Sequence, residues 1–397
     1  MGAGRESIPA LQRARQLGYH LIATDGNSQA LGFACVDEAI FVSTYAVKET
    51  VAYAVEYAQR MGPIHGVIAL AADVPQTVAA VAAALGLPGI SAETAHLTSD
   101  KFAMKLRFLE AGVPIPWFAA AENTSDLMAA LELFPYIVVK PVDNCGSRGV
   151  TRINRANDLS WAFEHARGYS SSGRVLIEEW IPGPQYSSES IFIDGEAVTP
   201  SLCDRNYEHL DRYAPFVVEN GGQWPPSCTP EQHKTLCTLA ENAGRALGIS
   251  TGTMKGDLVW AKDGPVVIEM AARLSGGYFS SIQCPLATGV DFIGIAMRLA
   301  CGESVSLEEA RPKYYKGCAI RYWFLSPGKV EYVHIKSKDC AEHTFLYVAE
   351  GDILMPITNH TQRPGCVITT GETREDAVQR AEVALATVEI EVSTISG

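Results

Sequence analysis

What this chain lacks narrows its role first. It has no run of about 18 or more apolar residues, the length a membrane-spanning helix needs. Its start carries no basic stretch followed by an apolar core, so no secretory leader is expected. The ten cysteines are scattered from Cys35 to Cys366, with no Cys-x-x-Cys pair and no Cys/His group at zinc-site spacing. Reduced thiols in a cytoplasmic protein are the expectation, most of them acting as small core residues. Positive charge is in short supply: 32 Lys and Arg stand against 45 Asp and Glu, a formal net charge of −13. A surface this acidic repels phosphate backbones and argues against a nucleic-acid partner, although it leaves room for a local basic pocket. A Gly-x-Ser-x-Gly nucleophile elbow and a Cys/His protease signature are both missing. There is no internal repeat and no low-complexity segment.

What is present suits a large folded protein. The 397 residues are 47% apolar and 19% charged, enough for a sizeable core and for two or three units. The first stretch alternates strand and helix signals: Ser7 as a helix cap, apolar Ala10, Ala14 and Leu17, then buried strands over 20–24 and 66–70 and an apolar helical stripe between Pro75 and Gly86. That alternation predicts a parallel sheet covered by helices. The glycine turn over residues 1–4 has no strand before it. With Ser7 and Asp25 it imitates a dinucleotide fingerprint, but Ser7 stands at the third glycine and the signal is weak.

Further on, Asp100 or its neighbours cap a helix that opens with Lys101 and carries Phe102, Leu106 and Leu109 on one face. A strand ends at Lys140, and a loop with Gly146, Ser147, Arg148 and Gly149 follows. A second strand ends at Glu178 and Glu179, just before Trp180, Ile181, Pro182 and Gly183. Asp257 and Glu269 sit on two segments that read as an antiparallel pair, with residues 257, 259, 267 and 269 expected on one face. Arg273 follows four residues after Glu269. This chemistry fits a nucleotide. Triphosphate oxygens need cations and backbone N–H groups, which two lysines and a Gly/Ser loop supply. Mg²⁺ prefers one or two carboxylates plus phosphate oxygens. An arginine can hold a substrate oxygen bidentately.

In order and spacing, five stretches resemble the ATP-grasp superfamily: TSDKFAMKLRFLEAGVPIP, FPYIVVKPVDNCGSRGV, VLIEEWIPGPQYSSES, GDLVW…PVVIEMAARLSGG and GCVITTGETREDA. The resemblance covers nearly the whole chain and lies in the branch with biotin carboxylase, the purine-pathway ATP-grasp enzymes and bacterial L-amino acid ligases. It implies a mixed α/β and α+β fold. An N-terminal parallel-sheet domain would occupy 1–92, a two-lobed ATP-grasp domain 93–305 with its lid at about 117–180, and a small C-terminal α+β region 306–397.

The resemblance also implies roles. Lys101 and Lys140 would bind phosphates, and Gly146, Ser147, Arg148 and Gly149 would form the lid over them. Glu178, Glu179, Trp180 and Ile181 would form the adenine hinge. Asp257 and Glu269 would hold Mg²⁺, with Mn²⁺ as a substitute. Arg273 would stabilise the transferred phosphoryl group, with Lys255 and Ser275 beside the substrate carboxylate. Glu219 and Asp204 are candidates for an ammonium group. Three positions depart from the common pattern: Gln185 replaces a ribose-binding glutamate, Asp257 replaces a longer carboxylate, and Ala271 replaces an asparagine. The IEMAAR form matches the L-amino acid ligase branch. The implied activity is ATP-dependent joining of a small carboxylate, such as an amino acid, to an amine, in a homodimer. A carboxylating or formylating ATP-grasp enzyme and a non-catalytic nucleotide binder are the alternatives; no AMKM-like biotin segment is present.

Overall fold

The computed structural model describes residues 1–337 and 340–394. At the N-terminal end, strands Ile22–Thr24 and Glu38–Ile40 pair in parallel. Helices Ile8–Gln16, Val47–Met61 and Pro75–Leu85 precede and follow this pair in the chain. Two local expectations are corrected. Ser7 does not cap the first helix: a 3-10 turn, Arg5–Ser7, runs straight into it, so Ser7 is already helical (φ −78°, ψ −18°) and its hydroxyl makes no cap bond. Residues 66–70 form no strand ladder. A Cβ on Gly66 would meet the Ala300 carbonyl at 2.8 Å, so this stretch is pressed against the end of helix Phe292–Ala300. The turn over residues 1–4 is tied down by other elements: the Met1 ammonium donates to Ile68 O (2.6 Å), Gly2 N to Thr24 O (2.9 Å) and Ala3 N to the Asp25 carboxylate (2.9 Å).

A four-stranded antiparallel sheet follows, in the order Phe118–Ala121, Val175–Glu179, Ile137–Pro141, Thr151–Ile153. Helices Thr124–Leu133 and Leu159–Tyr169 lay Leu127, Leu131 and Phe163 against Ile137, Val139 and Ile177, giving this lobe a core of its own. Asn123 and Asp126 close a reciprocal capping box at the first of these helices, satisfying backbone donors that would otherwise lack partners.

The central sheet has eight strands, each antiparallel to its neighbours. Their order is Gly264–Ala271, Gly252–Ala261, Gln185–Ile193, Glu196–Arg205, Gly222–Trp224, Gly317–Tyr322, Gly365–Gly371 and His343–Leu346. The last three extend the same hydrogen-bonded ladder, so the C-terminal part of the chain builds directly onto the central lobe. Helix Pro230–Ala246 packs Leu236 and Ala240 on Met254, Leu258 and Val267. A smaller sheet, Ile353–Leu354, Gly328–Ile335 and Val388–Ser393, lies toward the end. Among the described residues no helix is long and apolar enough to cross a membrane.

One irregularity aims the site. Asp257 pairs directly with Glu269, but Leu258 pairs with Val267, leaving Ile268 as an extra residue. Such a bulge turns the side chains that follow it. Val267 therefore goes into the core with Leu258, and the expectation that residue 267 shares a face with 257 and 269 is corrected. Ile268 and Glu269 both face the cleft.

Candidate functional site

A cleft of about 510 Å³ lies between the four-stranded lobe and the central sheet. Its cationic and anionic side chains interleave. Asp100 caps helix Lys101–Glu110 through Ala103 N (3.0 Å), and this directs Lys101 into the cleft from the first turn. There the Lys101 ammonium pairs with Glu269 at 3.1 Å and donates to the Asn144 carbonyl at 2.5 Å. Burial would lower its pKa, but Glu269 and Asp73 outweigh burial and raise it. Lys101 is therefore a fixed cation.

Lys140, at the end of strand Ile137–Pro141, pairs with Glu178 at 2.7 Å across the neighbouring strand. Glu178 is 2% exposed and takes a second buried lysine, Lys105, at 3.1 Å. Burial pushes the Glu178 carboxyl up, yet the two ammonium groups hold it below its ordinary value. Lys105 itself is pushed down to about 8, by burial before any other cause. The sequence reading put Glu178 and Glu179 together at the adenine end. Both line the cleft, together with Trp180, Ile181, Gln185, Val138, Val259 and Ile268, but the Glu178 carboxylate is taken up by the two lysines. The backbone amides of Glu179 and Trp180 donate to Trp117 O (2.9 Å) and Tyr136 O (3.2 Å).

Across the cleft, Asp257 accepts from Ser187 Oγ (3.0 Å) and pairs with Arg205 (2.9 Å) and Lys255. Burial raises its pKa, but Arg205 and Lys255 hold it far below the usual carboxylate range. Arg273 pairs with Asp73 at 3.0 Å. Ser275 donates its backbone N–H to Ser280 Oγ (2.8 Å), and Gly277 donates its N–H to the Glu6 carboxylate (2.7 Å). Asp257 and Glu269 are cross-strand partners, hard oxygen donors beside a cavity that also holds Lys101 and Lys140. Among the described residues no cluster of three or more Asp, Glu, His or Cys could hold a metal unaided. Two carboxylates that leave the other positions to phosphates and water suit Mg²⁺.

The loop over residues 143–149 closes one wall. Gly146 (φ 66°), Ser147 (φ 59°) and Gly149 (φ 73°) take the left-handed conformation, which costs a serine about 1 kcal/mol or more. Arg148 folds back onto the Cys145 carbonyl (2.9 Å).

Asp204, one of the two ammonium candidates, is corrected. It lies between Cys203 and Arg205, both of which line the cleft, and strand alternation turns it to the other face. There it pairs with Arg374 and accepts from Ser227 N (3.2 Å). Glu219 does line the cleft, but Arg205 (2.7 Å) and Arg363 (3.7 Å) already match its charge, and its pKa sits at about 2 despite burial. Sequence reasoning missed Lys105, Asp73, Arg205, Glu6, His360 and Arg363. Only Lys105 left a signal: it sits one helical turn after Lys101 and so on the same face.

Family models match the chain in three consecutive segments. Residues 11–89 match an ATP-grasp N-terminal domain, residues 98–277 an ATP-grasp domain, and residues 322–393 an L-amino acid ligase C-terminal domain 2. D-alanine–D-alanine ligase B of Chromobacterium violaceum is 30% identical over 225 residues, covering 55% of this chain and 71% of that one. The fold resembles the crystal structure of L-amino acid ligase from Bacillus licheniformis, with a TM-score of 0.84 and 21% identity over 98% of this chain and 97% of the other. It also resembles the biotin carboxylase domain of Hydrogenobacter thermophilus 2-oxoglutarate carboxylase, a dimer solved with MgADP and bicarbonate (TM-score 0.75, 18% identity, 98% and 90% covered). With the paired lysines, paired carboxylates and glycine loop around one cleft, these matches assign the chain to the ATP-grasp carboxylate–amine ligases, ADP-forming enzymes that make carbon–nitrogen bonds with ATP and Mg²⁺.

Proposed function

We propose that this enzyme activates the carboxylate of an amino acid or related small acid as an acyl phosphate and joins it to an amine. The observation that carries the reading is the pairing of Lys101 with Glu269 at 3.1 Å inside a shared cleft with Lys140 and Asp257. Lys101 and Lys255 are placed to take phosphate oxygens, and Glu269 and Asp257, the carboxylates they now pair with, would hold the metal. Magnesium, when bound, neutralises charge on the phosphates. Charge neutralisation and alignment are most of what phosphoryl transfer requires, and no side-chain nucleophile is needed.

Arg273 and Lys255 then face the carboxylate that receives the phosphoryl group. The turn 275–277 and Glu6 bound the far end of the cleft. Glu6 makes no ion pair among the described residues, and this leaves its charge for an ammonium group. Hydroxide is a poor leaving group and phosphate a good one, so the acyl phosphate yields to an amine with release of phosphate.

The test is ADP and phosphate release by the purified enzyme over a panel of acids and amines. Release with amino-acid pairs supports the reading; a strict need for bicarbonate or formate overturns it. Glu269→Gln keeps the side chain's shape and removes a metal ligand. We expect it to abolish Mg²⁺-dependent turnover with an unchanged far-UV circular dichroism spectrum, and full activity in that variant would remove the metal assignment.

A further inference from the structure

The phosphate-side loop is held by a part of the chain more than two hundred residues away. Its Gly146 carbonyl accepts from the backbone N–H of His360 at 3.1 Å, and Ser147 Oγ lies 3.1 Å from His360 Nε2. A Cβ on Gly146 would stand 3.8 Å from the Thr361 methyl, so the two segments are in contact. These bonds fall on two adjacent left-handed residues, of which Ser147 pays for that conformation because it carries a Cβ.

The opposing segment is itself rigid. His360–Gln362 is a single 3-10 turn, with the Asn359 side chain accepting from Thr361 N (3.0 Å) and Oγ1 (2.6 Å). Gln362 Oε1 accepts from Thr358 N at 2.8 Å. Arg363 donates to the carbonyls of His360 (3.0 Å) and Glu219 (2.9 Å), and its guanidinium lies 3.5 Å from the centre of the Tyr322 ring. Tyr322 belongs to the central sheet. The imidazole feels the charges of Arg363, Glu219, Arg205 and Lys255. Burial first, and then Arg363, holds it neutral, with a pKa near 3. Glu219 N donates to Nε2 (3.4 Å), so Nε2 carries the lone pair and Ser147 is the donor.

We propose that His360 is a positioning residue that latches the loop 146–149 shut over the phosphate end of the cleft, so that the C-terminal part of the chain sets lid closure. The proposal rests on the reading of that loop as the lid of an acyl-phosphate-forming site. Its consequence is coupling. With the latch open, water reaches the acyl phosphate, which returns to the free acid and inorganic phosphate; ATP is then spent without an amide.

Two measurements on the full chain separate the latch from the chemistry. Hydrogen exchange of the peptide spanning 143–149 tests the latch with no turnover at all. In His360→Ala we expect exchange there to rise about five- to tenfold, the size of one lost hydrogen bond, with strand Ile137–Pro141 unchanged. His360→Gln, whose amide oxygen can take the Ser147 hydrogen bond, should restore protection. Unchanged exchange at 143–149 in folded His360→Ala overturns the latch. The second measurement uses hydroxylamine as the amine, comparing phosphate released with hydroxamate formed across the twenty amino acids. We expect the ratio to rise about fivefold in His360→Ala and to recover in His360→Gln. No hydroxamate from the wild type with any acid would sink the ligase reading and leave the exchange result standing. An unchanged ratio in an active His360→Ala would sink the coupling role.

Discussion

At the scale of single residues, the cleft is built from charges that would be costly apart. Glu178 is buried between Lys105 and Lys140 at 3.1 and 2.7 Å. Removing one partner from a buried pair leaves an under-compensated charge, which costs about 3 kcal/mol. We expect Lys105→Met to lower the unfolding free energy read from urea titration by that amount and to weaken nucleotide binding through Lys140. A second buried carboxylate, Glu189, works in the opposite sense. It is fully buried and accepts from Ser280 Oγ (2.9 Å), and burial raises it from 4.5 to about 7. Between those values the folded state keeps a proton that the unfolded chain has lost, so stability falls as pH rises through that window, by about 3 kcal/mol in full. Glu189→Gln should remove this slope, so that urea midpoints at pH 5 and pH 8 move closer together than in the wild type. An identical pH dependence in the two proteins would show that Glu189 is not the group responsible. Glu189 was not legible in advance. Lys101, Lys140, Asp257, Glu269 and Arg273 carry motif spacing, whereas Glu189 is one polar residue in a strand and its burial exists only after folding.

At the scale of elements, local signals were read well where one short stretch decides the structure. The Asp100 cap, the hairpin joining 252–261 to 264–271 and the glycine loop after Lys140 all follow from residue type over a few positions. What could not be read was a register shift. Nothing in Val266, Val267, Ile268 and Glu269 announces an extra residue, because any of the apolar three could pair normally. The bulge is fixed by competition between the core, which takes Val267, and the cleft, which takes Ile268 and Glu269. This yields a sharp expectation. Deleting Ile268 makes the ladder regular with Asp257 still opposite Glu269 and Leu258 still opposite Val267, so both carboxylates keep the cleft face. The cleft loses one apolar wall residue, a change of about 1.5 kcal/mol, so the KM for ATP should rise about tenfold while ADP release stays Mg²⁺-dependent. Circular dichroism should remain that of the wild type. Loss of Mg²⁺-dependent turnover in the deletion variant would mean that the extra residue itself is needed to aim Glu269.

At the scale of the whole molecule, the fold class was legible because β/α alternation and ordered motifs extend along the chain, whereas the continuity of the central sheet was not. Strand Gly317–Tyr322 joins Gly222–Trp224 almost a hundred residues away, and no local pattern encodes that partnership. The same architecture sets how ligand and stability are coupled. The four-stranded lobe has a separate core, and ion pairs such as Lys105–Glu178 join it to the core that holds helix Lys101–Glu110. At the proposed site free ADP would bring negative charge toward Asp257 and Glu269, whereas MgADP would supply those carboxylates with a cation and leave Lys101 and Lys255 for phosphate. The chain's net charge of −13 opposes an uncompensated anion in the same direction. MgADP at a hundred times its Kd should therefore stabilise the protein by about 2.7 kcal/mol. ADP with EDTA should give a much smaller upward shift in Tm at the same concentration, and adding excess Mg²⁺ should restore the full shift. With Lys140 and Glu269 both at the proposed nucleotide site, hydrogen exchange should slow on strand Ile137–Pro141 and strand Gly264–Ala271 together. Equal stabilisation by ADP with and without Mg²⁺ would show that Asp257 and Glu269 keep their lysine partners when nucleotide binds, and the exchange of partners inferred for the cleft would not occur.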